Sequence, residues 1–334
     1  MLLITAADQY IGFAITSYLA QYERLRPHLR VLCEYKTRCL GFSKIGIDVR
    51  QVNYSHPNQL SMALRGVDTI ILCNSNEEDR LQNAQHICNA AAHSGTMNIV
   101  YISHVGASSS DHSALQEYNK IEQEVIQTNC PYTILRLEFI QQYFHLWSSY
   151  AEKQRSLLLP LASDTTICPI DIEDVCKVVE ELLIDNKQQT CKPLEDRHDG
   201  QVYVLTGPES FTAGQIVDIL ARATSYDHFK YRQGRPMDVS YYLKGLGKDI
   251  WFDARLKSER SKIYHDSFSN NNFKDKAYAA PTAKQIQTFL DYFDWAQKTV
   301  GSIKLPHTKF LIGATPQSIQ TFFEENANSF KPRV

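Results

Sequence analysis

The feature that most constrains the fold of this chain is an alternation of short apolar strands with amphipathic helices. Leu2 to Thr5 reads as a buried strand, and Ile11, Ile15 and Leu19 then recur at helical spacing. Further strands are predicted in "RVLCEY", "IDVRQVNY", "GVDTIILCNS", "MNIVYISHVGA" and "PYTILRL", with helical segments between most of them. This alternation predicts an α/β fold with a doubly wound parallel sheet and right-handed crossovers.

The first strand runs through the turn "AADQYIG" into the first helix. A strand, a tight turn and a helix form the place where dinucleotide-binding proteins hold a pyrophosphate, on the free N–H groups of the helix. Ligands of doubly wound sheets bind beyond the carboxyl ends of the strands. We expect that edge of the sheet to hold residues 6–12, Glu34, Tyr35, Asn74, Ser75, Ser103 and His104.

The domain organisation follows from length and from the change of pattern in the second half. A chain of 334 residues is long for one compact unit. We predict a Rossmann-type dinucleotide-binding domain over residues 1–155 and a smaller C-terminal α/β lobe over residues 156–334. Thr212 and Gln215 have the spacing of a capping box, and Thr315 with Pro316 predicts the start of the last helix.

Composition excludes several classes of partner and site. The net charge of -2 predicts no bulk attraction to nucleic acid or to anionic lipid. Eight cysteines without a C-x-x-C pair favour reduced thiols, a cytoplasmic location and no metal site. The first strand begins at once and no apolar run approaches roughly 20 residues, so we expect no signal peptide and no membrane span.

Several segments in the right order resemble landmarks of the NmrA-like family of atypical short-chain dehydrogenases. "GVDTIILCNS" and "NIVYISHVGASS" look like the fourth and fifth strands of that family. "IEQEVIQTNCPYTILRLEFI", "PIDIEDVCKVV", "VYVLTGPESFTAGQIVDIL" and "IGATPQSIQTFFEENANSF" are similar to its later helices and strands. The resemblance implies a Rossmann fold, and residues 235–300 look like an insertion. The family includes both reductases and non-catalytic redox-sensing regulators, so the resemblance leaves the activity open.

The phosphate turn departs from the family pattern G-A-T-G-x-x-G. The pattern falls on residues 6–12, so Ala6 and Gln9 replace the first two glycines and only Gly12 remains. The Gln9 side chain is expected where the ligand should approach the backbone. Asp8 is interpreted as the cap of the helix, so that its carboxylate partly occupies the anion site and competes with a phosphate for the free N–H groups. We therefore expect a strand-to-helix turn, with Tyr10 and Ile11 in its helical part, that binds a pyrophosphate weakly.

The ends of the next strands supply the other candidate cofactor-binding residues. Glu34, followed by Tyr35, lies where an acid accepts hydrogen bonds from the adenosine ribose and repels a 2′-phosphate. The alternative interpretation is that Glu34 is an ordinary surface residue at a strand end. NAD(H) is therefore expected to bind better than NADP(H). Asn53 replaces an Asp that is frequent in the family and could contact adenine. Asn74 and Ser75 either line the cofactor groove or cap the following helix.

The catalytic pattern of short-chain dehydrogenases is missing. The helix after the fifth strand has no Tyr-x-x-x-Lys pair, in which Lys lowers the pKa of Tyr. Ser103, Tyr118 and Lys120 are the candidates for an improvised site, but Tyr118 and Lys120 lie on different sides of the helix. His104 and His145 are interpreted as packing or pocket-wall residues.

These observations favour a binding or regulatory NmrA-like protein that has lost most or all dehydrogenase chemistry and has a weakened nucleotide site. It would act on a protein partner or through self-association. One alternative is an NAD(P)H-dependent reductase of a small carbonyl or quinone with a variant site. Another is a structural or self-assembling protein that keeps only the fold.

Overall fold

The computed structural model describes residues 1–185, 187–247, 280–299 and 303–332. These residues form two compact units. The first unit consists of Met1–Leu137, Glu173–Leu205 and Phe310–Ile312. The second consists of Glu138–Ile172, Thr206–Lys309 and Gly313–Val334. The units thus interleave along the chain, whereas the sequence-based division places one boundary at residue 155.

The first unit is built on a seven-stranded sheet in the order β11-β6-β5-β4-β1-β2-β3. Every pairing within this sheet is parallel, as expected of a doubly wound fold. Its strands are β1 (Leu2–Ile4), β2 (Leu29–Cys33), β3 (Asp48–Gln51), β4 (Thr69–Leu72), β5 (Asn98–His104), β6 (Tyr132–Leu137) and β11 (Gln201–Leu205). The prediction of a doubly wound parallel sheet is therefore confirmed.

The remaining strands form three two-stranded sheets. They are β7 (Ser156–Leu159), β8 (Thr166–Ile167), β9 (Ile184–Asp185), β10 (Thr190–Cys191), β12 (Phe211–Thr212) and β13 (Lys230–Gln233). The pairing β7 with β13 is parallel, and the pairings β8 with β12 and β9 with β10 are antiparallel.

Helices connect the strands. The described α-helices are α1 (Tyr10–Leu19), α2 (Leu40–Lys44), α3 (Pro57–Ala63), α4 (Arg80–Ser94), α5 (Ser113–Gln127), α6 (Ser148–Gln154), α7 (Ile172–Leu183), α8 (Ala213–Thr224), α9 (Pro236–Lys244), α10 (Ala283–Lys298), α11 (His307–Ile312), α12 (Ile319–Glu325) and α13 (Ala327–Phe330). Short 3-10 helices cover Arg26–His28, Lys36–Cys39, Val105–Ser108, Gln141–Trp147 and Asp196–His198. None of the described helices is long and apolar enough to cross a membrane.

The core of the first unit explains why the apolar strand runs are continuous. All residues of β1 and β4 are buried, as both faces of a doubly wound sheet are covered. Ile87 of α4 and Val125 of α5 join the strands in one apolar cluster. Tyr18 of α1 donates a hydrogen bond of 2.6 Å to Glu180 of α7. This hydrogen bond ties α1 to α7 within the first unit.

The second unit has an aromatic core. Phe139 contacts the rings of Phe144, Trp147, Tyr292 and Phe293 at centroid distances of 5.3–6.5 Å. Residues 138–155, which the sequence-based division assigned to the first domain, belong to this unit. Of the predicted insertion at 235–300, the structure describes α9 and α10, and residues 248–279 and 300 lie outside the described residues.

Local start signals of helices were predicted with mixed success. The Thr212 side chain accepts from the Gln215 N–H, and the complete capping box is present, which confirms that prediction. The predicted helix start at Thr315 is wrong. The helix begins at Ile319, because the Ser318 side chain accepts the Thr321 N–H and caps it.

Candidate functional site

The turn between β1 and α1 keeps a glycine-like backbone without its first glycine. Ala6 has a φ of +47°, in the left-handed region that favours glycine. Its N–H donates to the Tyr54 hydroxyl at 3.1 Å, and the Ala7 N–H donates to the Leu32 carbonyl oxygen at 2.9 Å. These bonds tie the turn to β2 and to the segment after β3. Tyr54 has no signal in the sequence that would mark it for this contact.

Gly12 is the glycine that the packing requires. A Cβ atom at this position would lie 2.4 Å from the Ala6 carbonyl oxygen and 2.7 Å from the Thr5 carbonyl oxygen. Backbone atoms cannot move aside as a flexible side chain would, so no larger residue fits here. The remaining glycine of the motif therefore permits the close approach of α1 to the end of β1.

Asp8 does not cap α1, which corrects the sequence-based expectation. The N-cap residue is Gln9, and its side chain makes no capping hydrogen bond. The Asp8 Oδ2 atom instead accepts from the N–H groups of Glu34 at 3.1 Å and Tyr35 at 2.9 Å. The backbone just past β2 offers two donors, more than the single bond of an N-cap. Asp8 thus links the turn to the end of the neighbouring strand.

Gln9 is the residue just before the first residue of α1. Its backbone is extended, with φ −98° and ψ 160°. Its side-chain Oε1 accepts a long hydrogen bond of 3.4 Å from Nδ2 of Asn76, in the connection between β4 and α4. The side chain therefore extends from the turn toward that connection.

A group of carboxylates lies around the ends of β2 and β4. Burial, followed by repulsion from Asp8, Asp79 and Glu77, raises the pKa of Glu34 to about 7. Burial also raises the pKa values of Asp8 and Glu77, while the positive charge of Arg38 acts to lower both. Of these carboxylates, only Asp8 and Glu34 were among the predicted site residues. The edge of the sheet is acidic at the place where a dinucleotide would bring negative charge.

Tyr35 and Asn53 border the same edge. The Tyr35 side chain is 53% exposed, and the Arg38 guanidinium lies 5.3 Å from the centre of its ring. The Asn53 N–H donates to Gln59 Oε1 at 2.9 Å, and its own Oδ1 accepts from the Ser55 N–H at 2.9 Å. Part of the hydrogen-bonding capacity of Asn53 therefore serves the local turn.

Asn74 and Ser75 behave differently from each other. Asn74 Nδ2 donates to the Tyr101 hydroxyl at 2.9 Å, while its Oδ1 is buried and lacks a hydrogen-bond partner within the described part of the chain. Ser75 Oγ accepts a long bond of 3.4 Å from the Glu77 N–H. Ser75 thus supports the connection after β4, and Asn74 presents a buried acceptor at the end of that strand.

Ser103 belongs to a buried ion pair. Its hydroxyl donates to Glu122 Oε1 at 2.6 Å. Arg136 donates to both oxygens of the same carboxylate, at 2.8 and 2.6 Å. Glu122 is only 3% exposed, and Ser103 faces Arg136 in the register of β5 and β6. The hydroxyl is therefore committed to a structural contact.

Tyr118 belongs to another cluster. The Arg80 guanidinium lies 4.4 Å from the centre of the Tyr118 ring, and the His104 ring lies 5.3 Å from it. Arg80 also donates to Glu117 at 2.7 Å. Burial, followed by the charge of Arg80, lowers the pKa of His104 to about 3, so this imidazole is neutral. Lys120 is exposed, and the cation beside Tyr118 is Arg80.

The other candidate groups have packing roles. His145, in the second unit, is buried between the rings of Phe322 and Phe330, each 5.3 Å away. Six of the eight thiols are buried. Across residues 1–185, 187–247, 280–299 and 303–332, no three His, Cys, Asp or Glu side chains are arranged to hold a metal ion.

Comparison with known proteins gives consistent relatives. Residues 11–143 match a family model described as NAD(P)H-binding. Quinone oxidoreductase 2 of Escherichia coli K12 is 25% identical over 228 residues, which cover 66% of this chain and 76% of that protein.

Solved structures extend the likeness to the whole fold. The triphenylmethane reductase of Citrobacter sp., complexed with NADP(H), has a TM-score of 0.74 at 14% identity, covering 97% of this chain and all of that one. NmrA, a negative transcriptional regulator solved with NADP, has a TM-score of 0.66 at 12% identity, covering 97% and 94%. The structures confirm the Rossmann-like fold and the resemblance in fold to NmrA. The match of residues 11–143 to an NAD(P)H-binding family model agrees with that fold.

Proposed function

We propose that this NmrA-like Rossmann protein binds a nicotinamide dinucleotide and acts as a binding or regulatory protein without turnover. The observation that supports this most directly is the state of the candidate catalytic groups. The Ser103 hydroxyl donates into the buried Glu122–Arg136 ion pair, and Lys120 is exposed. A Tyr-Lys proton donor of the dehydrogenase type requires the lysine beside the tyrosine, and here that neighbour is Arg80.

The first unit offers donors and acceptors at positions where a bound dinucleotide would need them. Gly12 allows α1 to start close to β1, so that the N–H groups of Tyr10 and Ile11 face a pyrophosphate. The buried Asn74 Oδ1 leaves an acceptor that a ligand donor would satisfy. In this proposal Glu34 accepts from the adenosine ribose, with Tyr35 and Asn53 beside the adenine. Hydride chemistry, where it occurs, is supplied by the nicotinamide ring itself.

The affinity for the dinucleotide is expected to be weak. Of the two reasons that the sequence suggests, the Gln9 side chain still applies, and competition by Asp8 for the helix N–H groups does not. Gln9 places a side chain at the helix start where the motif has a glycine, and this side chain reaches toward Asn76. Asp8 does not compete for the N–H groups of α1, because its carboxylate accepts from Glu34 and Tyr35. Its charge still disfavours a pyrophosphate, and the neighbouring carboxylates Glu77 and Asp79 add to this effect.

We further propose that NAD(H) binds better than NADP(H). The extra 2′-phosphate would lie against Glu34, whose surroundings are already acidic. Two like charges near a protein surface cost on the order of a few kcal/mol before screening by salt. This preference is the part of the proposal that depends most on a single residue.

The direct test combines calorimetry with an activity assay. NAD(H) and NADP(H) are titrated into the protein, and oxidation of NADH and NADPH is followed with a panel of quinones and small carbonyls. Binding without turnover is the expected result. Turnover faster than roughly 1 s⁻¹, which is ordinary for an enzyme, would overturn the proposal.

A regulatory protein that binds a cofactor without turnover acts by binding another molecule differently with and without that cofactor. We propose a protein partner or a second copy of the chain in that role. Light scattering with and without NAD(H) tests the second copy, since a ligand-dependent change of mass is then expected.

The second candidate function is reduction of a quinone or small carbonyl. The Arg80 cation beside Tyr118 favours it, because the proton donor of short-chain dehydrogenases also combines a tyrosine with a neighbouring cation. The relative named quinone oxidoreductase 2 agrees with it. Turnover that disappears in Tyr118→Phe but persists in Lys120→Ala would support this function. Absence of any dinucleotide binding would support a structural protein that keeps only the fold.

A further inference from the structure

The strand β13 in the second unit leaves one of its two edges open. Among the described strands it pairs with β7 alone, in parallel. The N–H groups of Lys230 and Gly234 donate to carbonyl oxygens on the β7 side, at 3.1 and 2.8 Å. Because the backbone groups of a strand alternate between its two edges, the N–H and C=O groups of Tyr231 and Gln233 point to the other edge. That edge can pair with one more extended chain.

The side chains of β13 alternate between an inward tyrosine and exposed cations. The Tyr231 hydroxyl donates to the carbonyl oxygen of the buried Leu161 at 2.6 Å. Lys230 and Arg232 are exposed and share the opposite face of the strand. Arg232 donates to the Tyr150 hydroxyl at 3.1 Å, and neither cation belongs to an ion pair in the part of the chain that the structure describes. Both charges are therefore available to a partner.

The segments beside β13 add to its positive charge. The Arg155 carbonyl oxygen accepts the Lys230 N–H, and the Arg155 guanidinium lies 5.8 Å from the centre of the Tyr226 ring. Residues 150–155 and 226–235 contain the acids Glu152 and Asp227 and the cations Lys153, Arg155, Lys230, Arg232 and Arg235. The whole chain has a net charge of -2, so this edge is a local positive area on a slightly acidic protein. Such an area favours an acidic partner.

A cavity of about 390 Å³ opens where β13 ends, at Gly234. Its apolar wall consists of Pro160, Pro236 and Leu290. Its charged groups are paired within the protein, Arg235 with Asp238 at 2.9 Å and Asp294 with Lys298 at 2.7 Å. The volume lies within the range of ligand pockets, and the wall suits an apolar group.

We propose that the open edge of β13 binds an extended acidic segment of a protein partner as an added strand. Acidic side chains at alternate positions of that segment lie opposite Lys230 and Arg232, and an apolar side chain further along enters the cavity. Alternate residues of any extended chain are about 6.6 Å apart, so the acids and the two cations share one spacing. This inference goes beyond the proposed function, because it concerns a site in the second unit and does not involve the nucleotide.

Two kinds of contact divide the work of recognition. Backbone hydrogen bonds to Tyr231 and Gln233 supply affinity for any extended chain. The cations select the sequence, because opposite charges directly across two strands stabilise the pairing and like charges destabilise it. An acidic strand is therefore accepted, and a basic strand is rejected.

Fluorescence anisotropy with a labelled eight-residue peptide tests the proposal on the full chain. The peptide has glutamates at two alternate positions and a leucine two residues further on. A dissociation constant below roughly 100 µM is expected. A peptide of the same composition with adjacent glutamates, and one with serine in place of leucine, should each bind about tenfold more weakly. N-methylation of the peptide backbone on the side that faces β13 should abolish binding, because it removes the N–H donors.

Charge reversal tests the same contacts from the protein side. Lys230→Glu and Arg232→Glu should each weaken binding of the glutamate peptide about fivefold to tenfold, since an attractive pair becomes a repulsive one. The double variant should instead bind a peptide with lysines in place of the glutamates. Arg24→Glu is the matched control, because Arg24 is an exposed residue of the first unit and its reversal changes the net charge equally. Circular dichroism checks that all variants are folded.

The outcomes decide the proposal without reference to the cofactor. Exchange of peptide preference in the double variant, with loss of binding on N-methylation, supports it. Equal affinity for alternating and adjacent glutamates, equal weakening by Arg24→Glu, or no peptide binding at about 1 mM overturns it. Tighter binding of a single-stranded oligonucleotide or of phosphatidylserine vesicles than of the peptide also overturns it, because the edge would then be a surface for another polyanion. Titration of NAD(H) is a separate measurement, so the proposed function and this inference fail independently.

Discussion

Replacing Gln9 by glycine is expected to tighten dinucleotide binding while leaving the fold intact. Gln9 is the N-cap of α1, yet its side chain makes no capping bond. Its one hydrogen bond from Asn76 is long, at 3.4 Å, and partly exposed, so its loss should cost less than about 1 kcal/mol. Glycine is well tolerated at an N-cap. The change should therefore cost little stability, and under the proposed function it removes a side chain from the phosphate site.

The gain can be sized from the contact that becomes possible. One charge-assisted hydrogen bond between a backbone N–H and a phosphate is worth roughly 1.5–3 kcal/mol. Since each 1.4 kcal/mol is about tenfold, affinity should rise by about one to two decades. Gln9→Ala should recover most of this gain, because φ of −98° is an ordinary conformation that does not need glycine. Asp8 must stay in place, since its carboxylate satisfies two backbone donors.

Calorimetric titration of NAD(H) into the original protein and the two variants is the assay. Gln21→Gly is the control, because Gln21 is an exposed residue just after α1 and should leave affinity unchanged. A low-micromolar dissociation constant for the original protein would refute the reasoning. So would affinities that stay the same in both Gln9 variants.

Three further variants test the turn between β1 and α1 and the carboxylate of Glu34 at the end of β2. Gly12→Ala should destabilise the protein by more than about 3 kcal/mol in chemical denaturation, because its Cβ would lie 2.4 Å from a backbone oxygen; a loss below 1 kcal/mol would contradict the packing. Ala6→Gly should stabilise the protein by up to about 1 kcal/mol in the same assay, because φ is +47°; a loss of stability would contradict the strain. Glu34 has a pKa raised from 4.5 to about 7 on folding, so its ionisation opposes folding. Glu34→Gln should therefore exceed the original stability by about 1 kcal/mol at pH 8, after discounting for solvent exposure, and the difference should vanish below pH 4.5.

The elements that sequence predicts well are those whose signal is local. The residues of β1 and β4 are apolar and all buried, so their strands are visible without knowing their neighbours. The Thr212 capping box is likewise complete within four residues. The last helix shows the limit of this reasoning. Thr315 and Ser318 are both acceptable caps, and only the packed structure selects Ser318.

The site is predictable in position but not in its pairings. Its residues lie at strand ends, as the sheet topology requires. Asp8 could cap its own helix or reach the next strand, and nothing within the turn distinguishes the two. The Ser103 hydroxyl and Arg136, which face each other in the register of β5 and β6, both donate to Glu122 on another element, and sequence patterns do not reveal this meeting. Tyr54 lies 48 residues after Ala6, so the sequence alone gives no indication that its hydroxyl accepts from the Ala6 N–H.

The turn shows that fold and affinity depend on different residues of the same motif. Ala6 is held in a left-handed conformation by the Tyr54 hydroxyl, and Gly12 still permits the close approach of α1. Alanine in place of the first motif glycine therefore lowers stability. In the proposed function, the side chain of Gln9 in place of the second motif glycine weakens ligand binding instead. It follows that Ala6→Gly should change the free energy of unfolding while leaving the NAD(H) dissociation constant within about threefold, a change of under 1 kcal/mol. Gln9→Gly should instead change the NAD(H) dissociation constant while leaving the free energy of unfolding nearly unchanged. If either variant changed both the dissociation constant and the free energy of unfolding, turn geometry and ligand access would not be separable.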